Sequence, residues 1–221
     1  SNPAMRSTSQ LQVLLGQQYT VENFGDAGKT AQNHHNCNCR IRDRSCSYWK
    51  TRTWHAATDS HPDLVVIMLG TNDAKPCNWW PAYYEGNLTE MALTFMNLPT
   101  RPMVLIASPP PLFKPFPWGM SPVVINTELP PINRRVAKAV GAVGFVDMVN
   151  AFVGKNPTLL NKSKGDGLTR DGCHPTDRGH TIIARALAKA IRKAFKDTNG
   201  TDRRLSRMTP TASKRRIHRW R

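Results

Sequence analysis

Leu64-Val65-Val66-Ile67-Met68-Leu69-Gly70-Thr71-Asn72-Asp73 is the stretch on which the fold turns. Six apolar residues in a row, three of them β-branched, read as a parallel strand buried on both faces. Gly-Thr-Asn-Asp then bends the chain abruptly. In open α/β sheets ligands sit in the crevice beyond the carboxyl ends of the strands, so Asn72 is predicted to carry a side-chain amide to that crevice. By itself, a strand ending in Gly-x-Asn-Asp reads equally well as an ordinary turn.

The flanking segments alternate helix and strand. A first helix near Gln10 to Leu15 precedes a short strand through Thr20-Val21-Glu22 into Gly25, and a helix around Tyr48 to Ala57 leads to the strand at Leu64. After Asn78 to Trp80, Tyr84, Leu88, Met91 and Phe95 recur at helical spacing and predict a core-facing helix from about Ala82 to Asn97. Met103 to Ala107 is the next strand. Helical character returns over Val124 to Val140, where Pro130-Pro131 must break or restart it, since Pro is tolerated only in a first turn. Phe145 to Met148 reads as the last strand. Thr176 is placed to cap a closing helix that buries Ile183, Leu187, Ile191 and Phe195 on one side. This alternation implies a parallel sheet with helices on both faces.

A second chemical signal lies about a hundred residues beyond the first. Asp171-Gly172-Cys173-His174-Pro175 offers a carboxylate and an imidazole three positions apart, ahead of that closing helix. A general base needs this pairing, because the carboxylate fixes the imidazole's tautomer and stabilises its protonated form.

In this order, the Gly-x-Asn-Asp and Asp-x-x-His blocks resemble those of the SGNH, or GDSL-type, hydrolases. Asn23-Phe24-Gly25-Asp26-Ala27-Gly28-Lys29-Thr30 is similar to that family's second block, whose closing Gly gives a backbone N–H to the oxyanion hole; on this match the residue is Gly28. Ser47-Tyr48-Trp49, Pro62-Asp63, Lys75-Pro76, Asn78-Trp79 and Ser108-Pro109-Pro110-Pro111 resemble the branch that removes acyl groups from carbohydrate esters. The likeness runs from about Gln10 to Phe195. It implies a three-layer α/β/α sandwich with a flavodoxin-like parallel sheet and a serine esterase acting on small acyl esters, acetyl groups on carbohydrate among them. Asp171 and His174 would be catalytic, and Gly28 and Asn72 would form the oxyanion hole. No cofactor and no metal enter that chemistry.

One block has no counterpart. The family's nucleophile is the Ser of a Gly-Asp-Ser at the end of the first strand, and the 221 residues contain no Gly-Asp-Ser. Nor do they contain a Gly-x-Ser-x-Gly elbow. Ser7 and Ser9 open a helix, Ser45 and Ser47 sit in a basic loop, and Ser108 leads the Pro-rich segment, so no serine present is assigned the role. The family's first strand lies centrally, between the strands at Thr20 and Leu64. Without it the sheet would hold unpaired ladder groups in mid-core, at about 1–3 kcal/mol each. The expectation is therefore that the first strand, with its Ser, is encoded upstream of Ser1 and that residues 1–221 are a fragment. Trp79, Trp80, Phe113 and Trp118 are candidates for walling the cleft and read equally as ordinary packing.

Composition bounds the alternatives. The net charge is +16, and residues 197–221 hold eight Lys or Arg against two Asp. With almost no apolar periodicity, that segment is expected to be a disordered tail after a single domain at 1–196. A tail of this kind offers contact to polyanions or is merely solvated. The rest of the chain, 23 basic residues against 13 acidic, favours acidic surroundings. No apolar run approaches the roughly 18 residues of a membrane-spanning helix. His34, His35, Cys37, Cys39 and Cys46 crowd into one loop. The Cys-x-Cys spacing is tighter than that of zinc modules, so zinc, a disulfide and plain thiols all stand as readings of it. The rival to the esterase is a non-catalytic member of the fold that binds sugars or polyanions.

Overall fold

A computed structural model describes residues 3–33, 46–202 and 215–219, the last six residues of the second span and all of the third as backbone alone. The strands are β1 (Tyr19–Asn23), β2 (Leu64–Ile67), β3 (Met103–Ala107), β4 (Gly144–Val146) and β5 (Arg215–Arg219). The helices are α1 (Ser7–Leu15), α2 (Arg52–Thr58), α3 (Pro81–Met96), α4 (Leu129–Ala139), α5 (Met148–Val153), a single turn α6 (Lys164–Gly167) and α7 (Asp177–Asp202). All strands run parallel in the order β1-β5-β2-β3-β4. The expected α/β/α sandwich is the fold observed.

Strand alternation explains the two cores. Successive side chains of β2 and β3 point to opposite faces. Leu64, Val66 and Leu105 pack with Leu11 and Leu15 of α1 and with Ile183, Leu187 and Ile191 of α7. Val65, Ile67, Val104 and Ile106 pack instead with Trp54 of α2, Tyr84 to Phe95 of α3 and Leu129 to Val136 of α4. Each such side chain, fully withdrawn from water, contributes about 1.5–3 kcal/mol. The predicted helical stripes, Tyr84, Leu88, Met91 and Phe95 on α3 and Ile183, Leu187, Ile191 and Phe195 on α7, are buried as expected. Thr176 caps α7, its Oγ1 accepting from Gly179 N at 3.4 Å. Pro130 and Pro131 fall in the first turn of α4, after a wide π turn at Val124–Glu128, so the break they impose lies at a helix start.

Between β1 and β2, where the family's first strand is expected, lies Arg215–Arg219: Ile217 pairs with Val21 on one side and Leu64 on the other. The ladder is made of backbone, and leaving its N–H and C=O groups unpaired in mid-sheet is costly whatever side chains the partner carries. Within 197–221 the described residues are the end of α7, which runs to Asp202, and β5. The loop carrying His34, His35, Cys37 and Cys39 lies outside the described residues. Cys46 and Cys77 each take part in a disulfide. Among the described residues no group of His, Cys, Asp or Glu is arranged to hold a metal, and no helix is long and apolar enough to cross a membrane.

Candidate active site

Four loops meet at the carboxyl edge of the sheet around a cavity of about 600 Å³. The loop after β1 contributes Asn23, Gly25 and Gly28; the turn after β2 contributes Thr71 and Asn72; the loop after β3 contributes Pro109 and Pro110; and the segment before α7 contributes Cys173 and His174. Gly28, Asn72 and His174, well separated in the chain, thus line one space. Asp171 stands behind His174.

The imidazole is held firmly from that side. His174 Nδ1 lies 2.6 Å from Asp171 Oδ2, while Asp171 Oδ1 accepts the backbone N–H groups of Cys173 at 3.0 Å and His174 at 2.8 Å. Partial burial pushes the Asp171 carboxyl up, but the ring and the two amides outweigh it and hold it at about 2. An ionised carboxylate only accepts, so Nδ1 carries the proton and Nε2 is left as the basic nitrogen. The loop itself is braced by Arg170 N to His174 O at 2.8 Å and by Gly172 N to Thr169 Oγ1 at 3.0 Å. Phe113 N donates to Gly172 O at 2.8 Å and ties the Pro-rich loop to the same place.

On the opposite wall, the Asn72 amide donates to the carbonyl of Lys29 at 3.2 Å, next to Gly28. An amide nitrogen carries two hydrogens, so one bond fixes the group and the other N–H stays available to a ligand. Gly28 adopts φ +77°, a conformation natural to glycine, and an added Cβ would meet nothing within 4 Å. Gly70 is the constrained one, with φ +125° and a would-be Cβ 2.9 Å from Leu129 Cδ1. Asp73 is fully buried and accepts Ala31 N–H on both oxygens, at 3.0 and 3.2 Å. Burial pushes its carboxyl up to about 7 against the opposing pull of that amide.

Of the four aromatic residues expected at the cleft, only Trp118 lines it. Its ring is 63% exposed and meets His174 edge-on at 6.2 Å. Phe113 is fully buried in the α1/α7 core. Trp79 is half-buried and donates to Glu128 at 3.0 Å, and Trp80 stands exposed beside Tyr83, outside the lining. No serine is among the described residues lining the cavity. Ser7 is buried between α1 and α7, 3.3 Å from His180; Ser108 Oγ accepts Met148 N; Ser47 is buried elsewhere. Met120 and Ile125, which complete the apolar side of the cavity, were not foreseen. Met120 precedes, and Ile125 lies in, the π turn at Val124–Glu128, whose winding departs from the 3.6-residue spacing that a sequence pattern reports.

Comparison with known proteins identifies the family. Residues 6–182 match the GDSL-like Lipase/Acylhydrolase family. An acetylxylan esterase of Xylanibacter ruminicola is 31% identical over 202 residues, 83% of this chain but 38% of that protein, so the chain spans well under half of that relative. A solved peptidoglycan O-acetylesterase is 25% identical with a TM-score of 0.52, over 63% of this chain and 40% of that one. A catalytic mutant of an acetylxylan esterase from Geobacillus stearothermophilus shares the fold at a TM-score of 0.53 and 24% identity, over 74% and 68% of the two chains. The matched span takes in Gly28, Asn72, Asp171 and His174 together with the first four strands that carry them, and the chain accordingly belongs to the GDSL-like lipase/acylhydrolase family.

Proposed function

We propose that this chain forms the body of a serine esterase that hydrolyses small acyl esters, acetyl esters of carbohydrate in particular. The observation that carries the reading is the 2.6 Å pair of His174 Nδ1 and Asp171 Oδ2 at the wall of the cavity that Asn72 and Gly28 also line. A serine hydroxyl attacks the ester carbonyl and gives its proton to His174 Nε2. Negative charge develops on the carbonyl oxygen, where Asn72 Nδ2–H and Gly28 N–H would receive it, each such donor being worth roughly 3–4 kcal/mol to the transition state. Collapse expels the alcohol, which takes the proton from His174. Water then repeats the sequence on the acyl-serine, releasing the carboxylic acid and restoring the hydroxyl.

The serine is expected on a strand that residues 1–221 do not contain. Position 219 of β5 pairs with Asn23 and Val66, so a strand two residues longer would end level with Gly25 and Met68, both in the cavity lining. Acetyl esters are favoured because the curated relative is an acetylxylan esterase and a solved relative a peptidoglycan O-acetylesterase. The exposed Trp118 face at the rim suits a sugar ring.

Joining a strand that ends in Gly-Asp-Ser ahead of Ser1 and applying a fluorophosphonate probe tests this. Labelling of the new Ser, lost on its change to Ala, is expected; no labelling of a folded protein would contradict the reading. A second reading, a non-catalytic sugar- or polyanion-binding member, is favoured by the absence of Gly-Asp-Ser from the 221 residues. Heparin binding that weakens steeply with salt and disappears on removing residues 197–221 would support its polyanion form.

A further inference from the structure

The outer face of α7 carries charge of one sign. Arg185, Lys189, Arg192 and Lys196 follow one another at i, i+4, i+7 and i+11, which stacks them along one side of the helix, and Lys193 flanks them. All five are exposed. They border a groove of about 440 Å³ where α7 lies along α1, floored by Leu14 and Ala188. Arg192 donates to Leu14 O, which holds its guanidinium at the groove and leaves further N–H groups to donate outward. The elements that pack on α7, namely α1, α5, β4 and the 3-10 turn at Pro3–Met5, contain no Asp or Glu. Among the described residues no carboxylate is paired with any of the five cations. Like charges at i,i+4 weaken a helix, and Arg185 with Lys189, Lys189 with Lys193 and Arg192 with Lys196 are three such pairs. A face that is merely solvated is better served by mixed signs.

We infer that the groove between α1 and α7 is a binding site for a linear acidic polysaccharide, a polyuronate with one carboxylate on each sugar. Successive cations of the row stand about 4.5–6 Å apart along the axis, from three or four residues at the helical rise. That interval is close to the length of one pyranose unit and wider than the roughly 3.4 Å between phosphates of a B-form strand. Among the described residues lining the groove there is no aromatic side chain, so bases would lack the platforms on which single-stranded nucleic acid stacks. The row is one helix face wide, which suits a single extended chain, and Arg and Lys make their strong hydrogen bonds to carboxylate. The site shares no residue with the catalytic cavity and stands without the esterase reading.

The test uses the full chain and fluorescein-labelled decagalacturonate, read by anisotropy. Saturable binding that weakens steeply with salt is expected, and the methyl-esterified oligosaccharide, which has no charge, is expected not to bind. The triple variant Arg185→Gln, Lys189→Gln, Lys193→Gln keeps good helix formers in α7 and should bind about tenfold or more weakly at low salt. A charge-matched control, Lys50→Gln, Lys138→Gln, Lys155→Gln, removes three exposed cations from elsewhere on the surface and should bind within about twofold of the parent. Residues 197–221 are the same in both variants, so a contribution from them cancels in the comparison. No saturable binding, or a loss in the α7 variant no larger than in the control, overturns the inference. So does tighter binding, lost in the same α7 variant, of an oligouridylate of equal length or of phosphatidylserine vesicles, which would give the groove to nucleic acid or to a membrane surface.

Discussion

Asp73 and Ala31, 42 residues apart, are joined by both oxygens of one buried carboxylate on a single backbone N–H, at 3.0 and 3.2 Å. The bond ties the turn that presents Asn72 to the loop that presents Gly28. The two sides of the cavity are therefore held together from beneath by a group with no exposure.

That burial has a pH signature. The Asp73 carboxyl is raised from 3.8 to about 7 by burial, so between those values the native chain holds a proton that the unfolded chain has lost. Its contribution is full below the unfolded value and is lost as pH rises through about 7. Asp73→Asn keeps an acceptor for Ala31 and has no charge to bury. Urea denaturation should show this variant gaining on the parent protein as pH rises from about 4 to about 7, by on the order of 2–4 kcal/mol, and holding that gain above. A difference independent of pH would remove the buried carboxylate from the account.

Asp171→Asn should act on turnover and leave stability almost untouched. An amide in place of the carboxylate turns a donor toward His174 Nδ1 and favours the wrong tautomer. In a protein carrying the Gly-Asp-Ser strand, kcat is expected to fall by about 10³–10⁴ with KM little changed. Because Asp171 is held at about 2, the parent enzyme should keep this ion pair down to roughly pH 3. A loss under threefold would take Asp171 out of the mechanism.

Asn72→Ala removes an amide already oriented by Lys29 O. A drop in kcat of about 10²–10³ is expected, with the thermal midpoint close to that of the parent. Unchanged kcat in a well-folded variant would exclude Asn72 as an oxyanion donor.

Trp118→Ala separates carbohydrate recognition from acyl chemistry. The ring is exposed at the rim, edge-on to His174. KM for an acetylated xylo-oligosaccharide should rise about 3- to 10-fold while p-nitrophenyl acetate is hydrolysed as before. Equal effects on both substrates would place Trp118 in the support of His174 instead.

What the sequence discloses follows from how local each signal is. β2 and β3 announce themselves as unbroken apolar runs, and α3 and α7 as stripes at helical spacing, because burial there is decided by neighbours along the chain. The placement of Asn72 follows from a strand-end rule that holds for the whole fold class, and that of Gly28 and His174 beside it from the family resemblance. β5 was invisible, since Arg-Arg-Ile-His-Arg has neither an apolar run nor alternation and its partners lie far away in the chain. The Asp73 to Ala31 bond was equally hidden: Asp after Asn reads as a brace within its own turn, and nothing nearby names a partner on another loop. Which of Trp79, Trp80, Phe113 and Trp118 faces the cleft is not legible, because an aromatic residue in a loop gives no sign of which way it faces.

The central claim is that His174 is the base for ester cleavage in this cavity. Its most direct measure is acetate release from acetylated xylan by the protein with a Gly-Asp-Ser strand added, set against its His174→Ala variant. The account predicts turnover in the first and a loss of about 10³-fold or more in the second. Equal turnover in the two, or none in a folded protein whose new Ser reaches the level of Met68, would contradict it.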